Sequence, residues 1–254
     1  MHGNLTRVVV VGATSAIAEH CARLWVKDEA IELTLVGRDL AKTERVAADL
    51  RVRSPGSEII VRHFSDFADP EAVGALVSEL TATRPVHRVL IAHGSLPDQR
   101  ACELNPTETV KALEINATSP VLFAEAFALT MEKAQLGTLA LIGSVAGDRG
   151  RRSNYVYGAA KGLVTRYAQG LQHRFAASPV KVVLIKPGPT ETPMTASMRQ
   201  AGKGGSMARV EDVAAVIVKG MARGAPVIYA PGKWALIMLV IRHLPRFVFN
   251  KMDI

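Results

Sequence analysis

Val8-Val9-Val10-Val11-Gly12-Ala13-Thr14-Ser15-Ala16-Ile17-Ala18 reads as a short buried strand, a tight turn and the start of a helix. Such a turn aims backbone N–H groups and the positive end of a helix at an anion, above all a pyrophosphate. Glycine at the bend permits positive φ and lets a phosphate come close. Ala16 and Ala18 stand where two of three glycines are expected, so on its own the stretch is also compatible with a plain strand-to-helix turn. As a nucleotide cradle it offers Gly12, Thr14, Ser15, Ala16 and Ile17.

The remainder of the chain repeats the pattern. Apolar runs near 7–11, 31–36, 58–64, 87–92, 137–142, 181–186 and 226–229 read as strands. Helical stretches fall near 16–28, 40–53, 70–82, 107–134, 154–177 and 210–223. Strand alternating with helix implies right-handed crossovers and a parallel sheet. The expected fold is therefore α/β, a Rossmann-type doubly wound parallel sheet of about seven strands flanked by helices. Ligands of such sheets bind outside the carboxyl ends of the strands. Gly12, His93-Gly94, Ser144 and Pro187-Gly188 all fall at those ends, which points to one shared cleft.

The second strand ends Leu35-Val36-Gly37-Arg38-Asp39. An acidic residue here accepts from a ribose 2′-hydroxyl, whereas an arginine accommodates a 2′-phosphate. Gly37 takes the acid's place and Arg38 follows, so NADP(H) is expected in preference to NAD(H). Asp39 is read as the cap of the next helix, with a ribose contact as the alternative. Asp66 is placed to meet the adenine, or else to cap the helix that starts near Pro70.

Tyr157 and Lys161, in Tyr155-Val156-Tyr157-Gly158-Ala159-Ala160-Lys161, share one helix face at a spacing of four. An ammonium beside a phenol favours the phenolate and tunes the phenol for proton transfer near neutral pH. Ser144 lies thirteen residues upstream, after the apolar run 139–142, where a strand ends. A hydroxyl there, facing the pair, suits the polarisation of a carbonyl.

Of 254 residues, 48% are hydrophobic and 5% aromatic, ample for a buried sheet of aliphatic side chains. Cys21 and Cys102 make no disulfide framework and have no metal-ligand spacing, so a reducing, cytoplasmic setting and no metal site are expected. Nothing near Met1-His2-Gly3-Asn4 resembles a signal peptide. A net charge of +8 suits an anionic cofactor, an anionic membrane or a solvated basic surface. Nucleic acid is not expected as a partner, because zinc-finger spacings, aromatic RNA-binding signatures and long basic tracts are all missing.

Taken together these motifs resemble the short-chain dehydrogenase/reductase family from Val8 to about Tyr229. The resemblance rests on Ser144, Tyr157 and Lys161 in order, on Asn116 in Leu113-Glu114-Ile115-Asn116, and on Pro187-Gly188 through Thr192. It implies that Tyr157 is the general acid in carbonyl reduction. Lys161 would lower the tyrosine pKa and hold the nicotinamide ribose. Ser144 would orient the substrate oxygen, and Asn116 would position a relay water. Thr192 and the backbone near Gly188 would meet the nicotinamide. Phe67, Ala92, Gly94, Pro187 and Thr190 complete the implied cofactor contacts, and a homodimer or homotetramer is implied. Two departures are the alanine at Ala18 and the stretch Ile91-Ala92-His93-Gly94, where the family has Asn-Asn-Ala-Gly. His93 is read as a structural residue rather than a base.

Residues 143–158, Tyr229-Ala230-Pro231 and Ile241-Arg242-His243-Leu244-Pro245-Arg246 are further similar to decaprenylphosphoryl-2-keto-pentose reductases. That similarity implies a lipid-linked keto-sugar substrate, a flavin-dependent oxidase partner and a role in cell-envelope polysaccharide synthesis. A small ketone, lipid or 3-oxoacyl substrate is the alternative. Arg149, Arg151 and Arg152 are candidates for a substrate phosphate or are plain loop charges. The expected organisation is a reductase domain over 1–232 and an apolar, basic tail over 233–254. Residues 190–209 read as a lid or as an ordinary surface loop. The apolar run 234–241 is eight residues long, against ~20 for a membrane span. Its aromatic and basic neighbours suit peripheral contact at the inner face of a membrane, and packing on the protein's own core or in an oligomer fits equally well.

Overall fold

A computed structural model describes residues 5–200, 202 and 205–252. Seven strands run through it: β1 Thr6–Val11, β2 Ile31–Gly37, β3 Glu58–His63, β4 Arg88–Ile91, β5 Thr138–Ile142, β6 Lys181–Pro187 and β7 Val227–Ala230. The helices are α1 Ala16–Asp28, α2 Leu40–Arg53, α3 Pro70–Thr81, α4 Gln99–Leu104, α5 Pro106–Leu113, α6 Ser119–Ala134, α7 Tyr155–Arg174, α8 Ala196–Gln200, α9 Val210–Ala222, α10 Lys233–His243 and α11 Arg246–Phe249.

All strand pairs are parallel, in the order β3-β2-β1-β4-β5-β6-β7. This is the expected doubly wound Rossmann-type sheet. Its strand order reverses between β1 and β4, where such sheets open their binding crevice. The valine run of β1 explains why both faces are covered. Val8 and Val10 point into an apolar cluster beneath α1, α2 and α9, whereas Val9 and Val11 point into a second cluster with Phe123, Phe127, Leu139 and Leu184. A strand buried on both sides has no polar face to show, hence its unbroken β-branched run.

The helix expected over 107–134 is broken. Asn105 caps α5 by accepting from the N–H of Thr107. A π-helical turn, Glu114–Thr118, then separates α5 from α6, and Ser119 donates its N–H to Glu114 O rather than to the fourth residue back. Pro120 supplies the reason. It has no N–H to give the carbonyl of Asn116, so the regular ladder fails at this point. The short helix α4, capped by Asp98 on Ala101 N at 2.7 Å, falls where the sequence suggested no element.

Residues 190–209 are tied at their base by a parallel bridge between Thr190 and Ala208. Thr195 Oγ1 also donates to Thr190 O at 2.6 Å, and a turn at Pro193–Thr195 leads into α8. Residues 201, 203 and 204 of that segment, residues 253–254 of the tail and residues 1–4 lie outside the described residues. The tail forms α10 and α11, separated at Pro245 as its missing N–H dictates. Among the described residues, no helix is long and apolar enough to cross a membrane.

Candidate active site

At the crevice, the turn after β1 is built for close approach. Gly12 has φ +83°, and a Cβ on it would lie 2.5 Å from the backbone N of His93. Only glycine satisfies both conditions. Ser15 stands at the N-cap of α1 without bonding its side chain to the first turn, so the helix start stays open to a ligand. Ala18 is fully buried against the sheet. The missing third glycine therefore costs the turn nothing that faces the cleft.

A cleft of about 800 Å³ runs from this turn across the ends of β2, β3 and β4. Thr14, Ser15, Ala16 and Ile17 line one wall, Arg38 and Asp66 the far end, and Ala92, Gly94 and Thr192 the near end. Arg38 is exposed and takes no part in the ion pairs among the described residues. Asp39 caps α2 by accepting from Lys42 N at 2.9 Å, and it pairs with Lys42 Nζ at the same distance. Those bonds hold its carboxyl below the ordinary value, Lys42 being the main cause. A Cβ on Gly37 would meet Thr43 Oγ1 at 2.2 Å, so a side chain at this position would have to turn that hydroxyl away from its bond to Asp39 O.

Asp69, not Asp66, caps α3, accepting from the N–H groups of Glu71 and Ala72 at 2.8 and 3.2 Å. The capping alternative for Asp66 is thereby overturned. Asp66 accepts from Ser65 Oγ at 3.1 Å and lines the cleft. Phe67 differs from expectation in another way. Its ring is buried against Phe64, Phe123 and His93, with centroids 5.0–5.5 Å away. Only its edge and backbone are left for a cofactor.

Through Ser15, Ala92, Gly94 and Thr192 the cleft continues into a second compartment of about 100 Å³. Here Asn116, Ser144, Tyr157 and Lys161 come together with Pro187, Gly188 and Thr190. Ser144 caps a short 3-10 turn at Val145–Gly147, its Oγ accepting from Ala146 N at 3.1 Å. Gly147 presses that turn onto α7, since a Cβ there would lie 2.6 Å from the Lys161 carbonyl. Asn116 is fully buried and anchored by Ser95 N at 2.9 Å on Oδ1 and by its own bond to Ala112 O at 2.9 Å. Its side chain holds the loop after β4, while Pro120 leaves its carbonyl without the usual helical donor.

The electrostatics depart from one expectation. Burial raises the Tyr157 phenol above its ordinary value, and the Ser144 hydroxyl pulls it partly back. Lys161 contributes no lowering. Its ammonium donates to Ile142 O at 3.0 Å, sits 5.8 Å from the Tyr157 ring centroid, and is itself pushed down to about 8 by burial.

His93 bonds Ser119 Oγ through Nε2 at 2.8 Å, and its Nδ1 has no partner among the described residues. Burial first, then the Lys161 and Arg38 charges, push it down to about 3. A ring that stays neutral at all working pH fits the structural role expected of it.

Sequence reasoning missed the support of the catalytic loop. The Asp148 side chain is 2% exposed and ion-pairs with that of Lys186, which is 4% exposed. It also accepts from the Tyr229 hydroxyl at 2.8 Å. Next to it, Arg149 donates to the carbonyls of Ile241 and Leu244 and stacks on Phe249 at 3.7 Å. Arg151 reaches Met238 Sδ at 3.6 Å. Arg149 and Arg151 thus contact the tail, a role that neither alternative, substrate phosphate or plain loop charge, had named. Arg152 is also engaged. Among the described residues, no group of three His, Cys, Asp or Glu side chains is arranged to hold a metal.

Comparison with known proteins agrees with this geometry. The family model described as short chain dehydrogenase matches residues 6–203. An uncharacterized oxidoreductase in the mprA 5′ region of Streptomyces coelicolor is 30% identical over 245 residues, 96% of this chain and 95% of that one. A Sphingobium yanoikuyae short-chain dehydrogenase in complex with NADPH superposes with a TM-score of 0.80 at 22% identity, covering 97% and 96% of the two chains. A 3-oxoacyl-[acyl-carrier protein] reductase from Brucella melitensis in complex with NAD gives 0.79 at 22% identity, covering 92% and 99%.

Proposed function

The chain belongs to the short-chain dehydrogenase family, and from that premise we propose that it is an NADPH-dependent reductase of a keto group, best fitted to the 2-keto group of a polyprenylphosphoryl pentose. The observation that carries the chemistry is the convergence of Asn116, Ser144, Tyr157 and Lys161 on one compartment continuous with the nucleotide-sized cleft.

The residues present fit a nicotinamide dinucleotide. Gly12 and the open start of α1 suit its pyrophosphate, Asp66 its adenine, and Thr192 with Gly188 its nicotinamide end. Arg38, in no ion pair among the described residues and next to Gly37 where an acid would stand, supports NADP(H) over NAD(H). When bound, the cofactor supplies the hydride. Ser144 and Tyr157 would hydrogen-bond the substrate carbonyl oxygen and so draw charge onto it. Tyr157, kept protonated by burial, would then give its proton to that oxygen. Lys161 would hold the ribose near the phenol, and the Asn116 carbonyl would hold a water on the path that reprotonates it.

The lipid-linked substrate is supported by the similarity of residues 143–158 and 241–246 to decaprenylphosphoryl-2-keto-pentose reductases and by the exposed apolar tail. It would come from a flavin-dependent oxidase, with the enzyme in the cytoplasm at the inner face of the membrane. One domain over 1–232, the lid at 190–209 and the tail at 233–254 complete the proposal. Val110, Leu129 and Leu163, exposed on α5, α6 and α7, support a homodimer or homotetramer.

One observation favours the alternative, a soluble reductase of a small ketone, lipid or 3-oxoacyl substrate. Arg149 is occupied by the tail and Arg151 leans on Met238, so the loop offers no exposed, free pair of guanidinium groups to a phosphate. The deciding experiment follows single-turnover oxidation of bound NADPH by a polyprenylphosphoryl 2-keto-pentose and by the same keto-sugar phosphate without its lipid. Fast turnover of the lipid-linked compound alone supports the first proposal. Turnover of neither, with reduction of simple ketones intact, moves the assignment to the second.

A further inference from the structure

We propose that the outward face of α10 and α11 docks on an anionic lipid surface beside the mouth of the catalytic compartment. The inference deepens the lipid-linked proposal and rests on it for its purpose, while the docking face is argued from its own residues.

Helix α10 buries Met238 and half-buries Trp234, Ile237 and Ile241 against the protein. At about 100° per residue, Leu236, Leu239, Val240 and His243 form the opposite arc. These three apolar side chains are 68%, 48% and 54% exposed. Lys233 falls about 60° to one side of Leu236 and Arg242 about 120° to the other, and both are exposed. Beyond the break at Pro245, Phe247 is 71% exposed between Arg246 and Lys251. An apolar stripe edged by long cationic side chains is the form that lies in a bilayer interface. The apolar groups enter the acyl boundary while the cations stay at the headgroups.

Charge decides the occupant. Residues 233–254 carry four Lys and Arg against a single acid, Asp253. A second copy meeting this face symmetrically would set those cations against their equals, which disfavours self-association. An anionic surface complements all of them. Position gives the face a use. The Trp234 indole rests on Gly188, which lines the catalytic compartment, and Arg149 and Arg151 fasten the same helix to the loop that carries Ser144. A docked enzyme would hold its substrate entrance next to the headgroup layer.

The test is co-sedimentation of the full-length protein with vesicles of phosphatidylcholine alone or mixed with phosphatidylglycerol. Binding to the anionic vesicles that weakens with salt is expected. Leu236→Glu with Val240→Glu should abolish it. Lys233→Gln with Arg242→Gln, which keeps the apolar stripe, should lower partition on the order of 30-fold, from ~1 kcal/mol per cation. NADPH binding and reduction of a soluble ketone should stay unchanged in both variants. The proposal is overturned if the unmodified protein ignores anionic vesicles, or if both variants bind as well as it does. It is equally overturned if the variants change the mass in light scattering and leave vesicle binding intact, since the face would then belong to a second copy. Vesicle binding without turnover of the lipid-linked keto-sugar would fault the substrate assignment alone. Turnover without vesicle binding would fault this inference alone.

Discussion

Trp234 fills the space that a side chain on Gly188 would need: its Nε1 lies 1.9 Å from the ideal Cβ position. The floor of the catalytic compartment and the tail are therefore fitted to each other. Gly188→Ala should lower the melting temperature and loosen the tail to limited proteolysis. Adding Trp234→Ala should recover part of the loss, because the two substitutions share one contact. Independent, additive effects in that double-mutant cycle would refute the fit.

Tyr157→Phe should reduce the rate of ketone reduction by ~10²–10⁴-fold, the usual worth of a positioned proton donor. NADPH affinity, read by fluorescence titration, should stay within about twofold, as the variant keeps the ring. An equal fall in affinity and rate would mean that the phenol is a binding group only.

Arg38→Ala should raise the KM for NADPH roughly 10–100-fold, the range of a charge-assisted hydrogen bond, and leave that for NADH nearly unchanged. Asp39→Ala should instead lower the melting temperature slightly through the lost cap and leave both KM values alone. A matching rise in KM for both dinucleotides in the arginine variant would remove Arg38 from the 2′-phosphate site.

Asp148→Asn should be strongly destabilising, roughly 3–5 kcal/mol in urea unfolding, because it strands the buried Lys186 ammonium without its partner. Replacing both, Asp148→Leu with Lys186→Met, should recover most of that. Should the single variant unfold like the unmodified protein, the pair is not the support assigned to it here.

Lys161 gives a pH dependence of definite sign. Burial lowers its pKa from 10.5 to about 8 in the folded chain. Between those values the unfolded chain holds a proton that the folded chain has lost. The Lys161 contribution to stability should therefore rise with pH from about 8, and the rise should be offset above about 9, where the unfolded chain loses the Cys21 proton that burial keeps in the folded one. Below about 8 the full penalty of burying the cation remains. Lys161→Met should abolish the rise in urea titrations of the cofactor-free enzyme, though its turnover should fall by ~10²-fold or more. A rise that persists in the variant would assign it to another group.

Much of this was legible in the residues themselves. Strand ends fell within a residue or two of expectation, because runs such as Val8-Val9-Val10-Val11 and the glycines behind them mark period and punctuation locally. Tyr157, Lys161 and Ser144 were legible for the same reason, since spacing on one helix and one strand end suffices to find them. Asp148, Lys186 and Tyr229 escaped because nothing local links residues 38 and 81 positions apart. The tail contacts of the arginines at 149 and 151 escaped on the same ground: a loop charge reveals its partner only when the tail is in place. The π-helical turn was within reach, since Pro120 announces the lost donor, yet the apolar periodicity on either side masked it.

The loop from Ser144 to Asn154 is fastened at Lys161 through Gly147, at Lys186 and Tyr229 through Asp148, and at residues 238–249 through Arg149 and Arg151. Its last anchors are thus made by residues translated long after the loop itself. On the ribosome, the sheet can close as soon as β7 emerges, but the segment that bears Ser144 lacks its outer fastening until residue 249 is clear of the exit tunnel. A nascent chain would therefore fold its nucleotide half first and become competent for chemistry only once residue 249 has emerged.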